Sequence, residues 1–221
     1  MKLLALDTST EACSAAVLLS DQKKNEQIFS RFELQPNQQS KLLLPMLDNL
    51  LSEAGVALSS LDAIAFGSGP GSFTGLRIAA SVTQGMALAH DLPVIPVSSL
   101  QTMAETAYQE FGFKKILAAI DAHVQAFYYG AFLWDEAFQC MKIAENESLI
   151  SPDNWITPEG DSWEYVGTGW RYFDVNNNKI NYYPKASAML TLAQKMAEQK
   201  NWVAPEDALP SYLYELGNGA K

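Results

Sequence analysis

Two aspartates, one arginine and a glycine-rich loop are the residues of this 221-residue chain whose types and spacing suit chemistry. The loop, Gly67 to Gly75, reads GSGPGSFTG and lies between an apolar strand-like run, Ala63 to Phe66, and a helix-like run, Leu76 to His90. Glycine brings bare backbone close to a neighbour, and Pro70 keeps the residue before it out of the helical region. A strand, a glycine turn and a helix N-terminus aim several N–H groups and the positive end of a dipole at one spot. That is the makeup of a phosphate cradle, and equally of a tight turn with close strand-to-helix packing. Both readings stand open at this point. Asp7 ends the first apolar run and Asp121 ends a later one, Lys115 to Asp121. An acid so placed can hold magnesium through water, or simply cap the turn that follows. Arg77 directly follows the loop and is the only charge in its helix before His90. It can reach a phosphate, or a carboxylate from a partner chain, or stay solvated.

The standard motifs fail. A Walker A loop ends in Gly-Lys-Ser/Thr, whereas Gly75 is followed by Leu76 and Arg77, and the glycines at 67, 69, 71 and 75 miss the G-x-G-x-x-G spacing. Ser68 and Ser72 have Phe66 and Pro70 two places before them, so neither is a nucleophile elbow. The two histidines, His90 and His123, form no H-x-x-x-H pair, so no metal site is expected. Cys13 and Cys140 read as separate thiols in a reducing compartment.

Nearly half the residues are apolar, enough to bury a core. A net charge of -10 offers no basic footprint for nucleic acid, so any contact with RNA is expected to run through another chain. Asp7 cuts the opening apolar run short of a signal-peptide core, and no run approaches a membrane span. The expectation is a soluble, cytoplasmic protein without membrane contact.

Strands are expected at Lys2 to Asp7, Ala12 to Leu19 and Gln27 to Leu34, making an antiparallel meander whose third strand is an edge or half-buried strand. The period changes over Ser40 to Ala54, where Leu43, Leu47, Leu50, Leu51 and Ala54 share a helical face, with Ser40 as N-cap and Gly55 as stop. Leu42, Leu44 and Met46 lie outside that stripe, so the helix is apolar over more of its girth than one sheet contact covers. The helix from Leu76 is likewise small-residue-rich on almost every face: Ala79, Ala80, Ser81, Gly85, Ala87 and Ala89. After a strand at Val94 to Val97 the pattern restarts, with a helix from Ser98 to Glu110 and strands at Lys115 to Asp121 and Ala126 to Trp134. A weak internal duplication is expected, dividing the chain into a lobe at 1–98 and a degenerate one at 99–221. The stretch Ala137 to Tyr183 carries no periodic signal beyond a turn at Gly167 to Trp170. Met189 to Gln199 is expected to be helical, and the tail from Gly217 disordered.

Taken together, LALDTSTEACSAAV (Leu4 to Val17), LLPML (Leu43 to Leu47), GPGSFTGLRI (Gly69 to Ile78), Thr83-Gln84-Gly85, Ala119 to Asp121 and VGTGW (Val166 to Trp170) resemble the bacterial TsaB family, also called YeaZ. The resemblance implies an α/β, actin-like ATPase fold of the ribonuclease H-like (ASKHA) class, two related lobes each with a mixed sheet flanked by helices. It implies a non-catalytic subunit that pairs with and activates TsaD for N6-threonylcarbamoylation of adenosine 37 in tRNA, in concert with TsaE and TsaC. It also implies a homodimer when alone, no cofactor of its own, and ATP, ADP or magnesium only within the TsaD complex. A stand-alone kinase, ATPase or peptidase is the alternative.

The same resemblance implies that the two first-lobe helices form the pairing surface, with Leu42, Leu43, Met46, Leu50, Arg77, Ile78, Val82 and Gly85 at or beside it. Asp7, Thr8, Gly69, Gly71 and Ser72 fall on a vestigial phosphate side. The chain departs from the family pattern at Ser68, Gln39, His123 and Tyr214, where basic residues are usual.

Overall fold

The structure, a computed structural model, describes residues 1–21, 25–123, 125–156, 158, 162–173 and 181–213. In the first half lie strands β1 (Lys2–Asp7), β2 (Ala12–Ser20) and β3 (Glu26–Leu34), helix α1 (Gln39–Ala54), strand β4 (Ala63–Gly69), helix α2 (Phe73–Leu88) and strand β5 (Val94–Ser98). The second half holds helix α3 (Ser99–Phe111), strands β6 (Lys115–Asp121), β7 (Phe127–Asp135), β8 (Cys140–Ile150) and β9 (Glu164–Val166), and helix α4 (Ala186–Glu198).

The run LLAL in β1 is apolar on both faces because both faces are covered, as suits a central strand. Leu4, Leu6, Val17, Ile64 and Phe66 point into the layer of α1 and α2. Leu3, Ala5, Leu18, Ala65 and Ile95 point at α4, which follows the second sheet in the chain yet returns to pack on the first. The first sheet runs β3-β2-β1-β4-β5, antiparallel through β3, β2 and β1 and parallel from β1 to β5. The second runs β8-β7-β6-β9 with the same alternation of senses, so the expected duplication is present, with four strands among the described residues. Helix α3 covers one face of it through Leu100, Met103 and Ala107. Trp170 fills the other, its indole donating to the carbonyls of Leu117 at 3.0 Å and Val166 at 3.1 Å.

The two strands that sequence reading passed over are β8 and β9. Strand β8 is an edge, mostly exposed and polar over KIAENES, so it carries neither an alternating nor a continuous apolar pattern. Its unpaired side is partly satisfied by α3 at the buried Met141: Gln101 donates to the Met141 carbonyl at 2.7 Å, and the Met141 amide donates to Glu105 at 2.8 Å. Strand β9 has three residues, too few for any period. Of the two alternatives for the third strand, the structure takes the edge: β3 ends the sheet and is almost wholly exposed.

Helix α1 starts at Gln39, with Gln38 as a cap that makes no side-chain bond, so Ser40 is inside the first turn and not the N-cap. Gly55 ends it in the left-handed conformation at φ 63°. No described helix is long and apolar enough to cross a membrane. Because Leu50 is fully covered between α1 and the sheet, Leu50→Ala is expected to lower unfolding stability by about 2–5 kcal/mol in urea denaturation. Leu44→Ala, at an exposed position of the same helix, is expected to change it by under about 0.5 kcal/mol.

Candidate functional site

Helix α2 begins at Phe73, three residues earlier than periodicity indicates, because Ser72 caps it and accepts from the Gly75 amide at 3.3 Å. The last residues of the glycine loop are thus the first turn of the helix. Two of their polar groups bind the turn after β1: the Ser72 amide donates to the Ser9 carbonyl at 2.7 Å, and the Thr8 hydroxyl donates to the Gly75 carbonyl at 2.7 Å. A Cβ on Gly75 would overlap the Thr8 carbonyl, and one on Gly67 would overlap the Asp7 carboxylate. The close strand-to-helix packing of the second reading is therefore present, and Gly71, Ser72, Phe73 and Thr74 also border a cleft.

Between the lobes lies a cleft of about 520 Å³, bordered by Ser9, Gly71 and Ser72 on one side and Asp121, His123 and Thr168 on the other. Asp7 and Thr8 do not line it. This corrects the phosphate-side assignment for those two, since both are fully covered by the loop they hold. Gly71 and Ser72 do border the cleft, while Gly69 sits against the Ser211 carbonyl.

The two acids occupy matching places in the duplicated lobes, each accepting from the amide two residues on: Ser9 to Asp7 at 2.8 Å, His123 to Asp121 at 2.9 Å. Asp7 also takes the hydroxyls of Ser9 and Ser99. Asp121 takes Arg171 at 2.9 Å, His123 Nδ1 at 3.2 Å and Tyr172 at 2.7 Å. These carboxylates do not fit a magnesium site. One is walled in by its own turn and the other is already neutralised, and among the described residues no group of three or more His, Cys, Asp or Glu could hold a metal. Ser68 donates to the Val97 carbonyl and Gln39 to the Thr10 carbonyl, so both serve the fold. Tyr214 and the tail from Gly217 lie outside the described residues.

On the α1 and α2 layer, sequence reading named some residues that cannot meet a partner. Leu43 and Leu50 are 0% exposed and Met46 8%, because their stripe packs on the sheet; they support the surface from behind. Leu42, Ile78 and Val82 are half-buried, and Arg77 and Gly85 are exposed. Three exposed apolar residues were missed: Leu44 at 56%, Phe73 at 55% and Leu88 at 57%. Leu44 had a signal, its place outside the buried stripe. Phe73 had none, since it was read as loop.

Burial raises the Asp7 carboxyl from 3.8 to about 6, against the lowering effect of the bonds from Ser9 and Ser99. A carboxyl raised in the folded state binds a proton that the unfolded chain has already released. Its favourable contribution is therefore full below pH 3.8 and is lost as the pH rises to about 6. Asp7→Asn should remove that loss: the stability difference between wild type and variant, followed by urea denaturation, is expected to shift by about 3 kcal/mol in favour of the variant from pH 3.5 to 6.5.

The model of the family "TsaD: tRNA N6-adenosine threonylcarbamoyltransferase" matches residues 33–207 of this chain. The tRNA threonylcarbamoyladenosine biosynthesis protein TsaB of Haemophilus influenzae is 38% identical, over 96% of this chain and 93% of its own. The TsaB of Escherichia coli is 37% identical, over 96% and 94%. A crystal structure from Pseudomonas aeruginosa, described as similar to the peptidase YeaZ, superposes with a TM-score of 0.88 at 41% identity, covering 96% of this chain and 99% of that one. The actin-like two-lobe fold, the spent acids and near full-length likeness agree, and the chain belongs to the TsaB family of tRNA threonylcarbamoyladenosine biosynthesis proteins.

Proposed function

We propose that this chain is the non-catalytic subunit that docks on and activates TsaD for N6-threonylcarbamoylation of adenosine 37 in tRNA. The observation that carries this reading is the contrast between its two faces. The cleft, where an actin-like enzyme would act, is bordered by an acid already neutralised and backed by another already enclosed. The α1 and α2 layer keeps apolar side chains in solvent, among them Leu44 and Leu88, beside the half-buried Leu42, Ile78 and Val82, with the exposed Phe73 on the rim it shares with the cleft. A surface of that kind suits a protein partner.

TsaE and TsaC act in the same pathway, and when TsaD is absent the same layer pairs two copies of this chain. Contact with tRNA runs through TsaD, since a net charge of -10 repels phosphate. ATP, ADP and magnesium belong to the complex, and the work is done in the cytoplasm. Neither cysteine is an activated thiol for a peptidase: burial pushes the Cys13 thiol up to about 12 and the Cys140 thiol up as well.

Gly85 is the cleanest probe, because a Cβ there meets nothing within 4 Å. Gly85→Arg should fold with wild-type melting behaviour and bind TsaD at least about 30-fold more weakly in calorimetric titration, as a charge inserted into an apolar contact does. Unchanged affinity would sink the assignment of this face.

A further inference from the structure

Arg77 is held differently from the other two arginines. Arg31 pairs with Glu53 and Arg171 with Asp121, whereas the guanidinium of Arg77 lies 3.7 Å from the centre of the Phe73 ring. Its Nε donates to the Tyr212 hydroxyl at 3.3 Å, and the Phe73 and Tyr212 rings stand 5.6 Å apart. Tyr212 is brought there by a C-terminal stretch anchored on the glycine loop, where the Ser211 amide donates to the Ser68 carbonyl at 2.7 Å. That anchoring depends on Gly69: a Cβ there would stand 2.6 Å from the Ser211 carbonyl. A residue from the far end of the chain therefore seats a cation on the first turn of α2.

The seating uses the π-face and Nε, Arg77 stays exposed, and its terminal fork, Nη1 and Nη2, has no carboxylate partner among the described residues. An arginine fixed this way has already lost much of its rotamer freedom, so less is lost when the fork closes on a planar anion. Arg77, Ser81 and Gly85 recur at four-residue spacing and are all exposed, so they share one face of α2. The fork thus extends the docking face, and in a chain of net charge -10 it is a cation that selects an acidic counterpart.

We propose that Arg77, seated by Phe73 and Tyr212, is the charged anchor of the α2 face and takes a carboxylate of the partner protein, with Tyr212 as a positioning residue. This rests on the docking reading above, in which that partner is TsaD.

The test is calorimetric titration of the full chain into TsaD from the same organism, at two salt concentrations. Arg77→Glu should weaken binding at least about 30-fold and flatten the salt dependence. Arg77→Lys, which keeps the charge and loses the fork, and Tyr212→Ala should each weaken it about fivefold, with Tyr212→Ala adding nothing once Arg77 is Glu. Lys115→Glu makes the same charge change at the exposed start of β6 and should stay within about twofold. If Arg77→Glu binds like wild type while Gly85→Arg fails, the anchor is wrong and the face stands. If both bind normally, the face reading falls with it. Equal losses for Arg77→Glu and Lys115→Glu would mean general charge attraction and overturn the anchor. So would a variant that binds TsaD normally while the assembled complex loses affinity for tRNA.

Discussion

The structure depends on one contact, the seating of the glycine loop on the turn between β1 and β2. Thr8 holds Gly75, Ser9 holds Ser72, and the Asp7 carboxylate fills the space over Gly67. Glycines at 67 and 75 are required there because the backbones approach to where a Cβ would be. The contact sets where α2 begins and how it lies on the first sheet. It also fixes the wall of the cleft and the spot on which the C-terminal stretch lands. Moving this turn would displace the docking face and Arg77 together.

The same contact fits the proposed docking role, because it commits the strand-end acids to the fold. In the duplicated lobes Asp7 and Asp121 stand at equivalent strand ends, where each could serve a metal-bound phosphate. Each is turned to the service of its own loop instead, one by two serines and the other by Arg171, His123 and Tyr172. The covered Asp7 is costly to ionise, as its raised pKa records. That cost is tolerated where a carboxyl works as a structural acceptor.

Much of the fold was legible because the buried strands and amphipathic helices write their burial into the sequence. Lys115–Asp121 is read to the residue, and the first-sheet elements to within a few residues at each end. The exposed edge β8 and the three-residue β9 were not legible, since neither buries enough to impose a pattern. Helix α2 was read to start late because Phe73 and Thr74 look like loop until the Ser72 cap is seen. The candidate site was legible by element more than by residue. An apolar stripe names the helix that has surplus surface, but only packing tells that Leu43 and Leu50 are spent on the core while Leu44 and Phe73 remain outside. The partnership of Tyr212 with Arg77 spans 135 positions and leaves no local trace.

The central claim is that this chain serves by docking and does no chemistry of its own. It is tested most directly by measuring threonylcarbamoyl-modified adenosine 37 in tRNA incubated with purified TsaD, TsaC and TsaE, ATP, magnesium, threonine and bicarbonate, with and without this chain. The account predicts modification only when the chain is present, and full rescue by an Asp7→Asn variant that retains the docking face. Equal modification without the chain, or loss of activity in Asp7→Asn while its complex with TsaD forms normally, would contradict it.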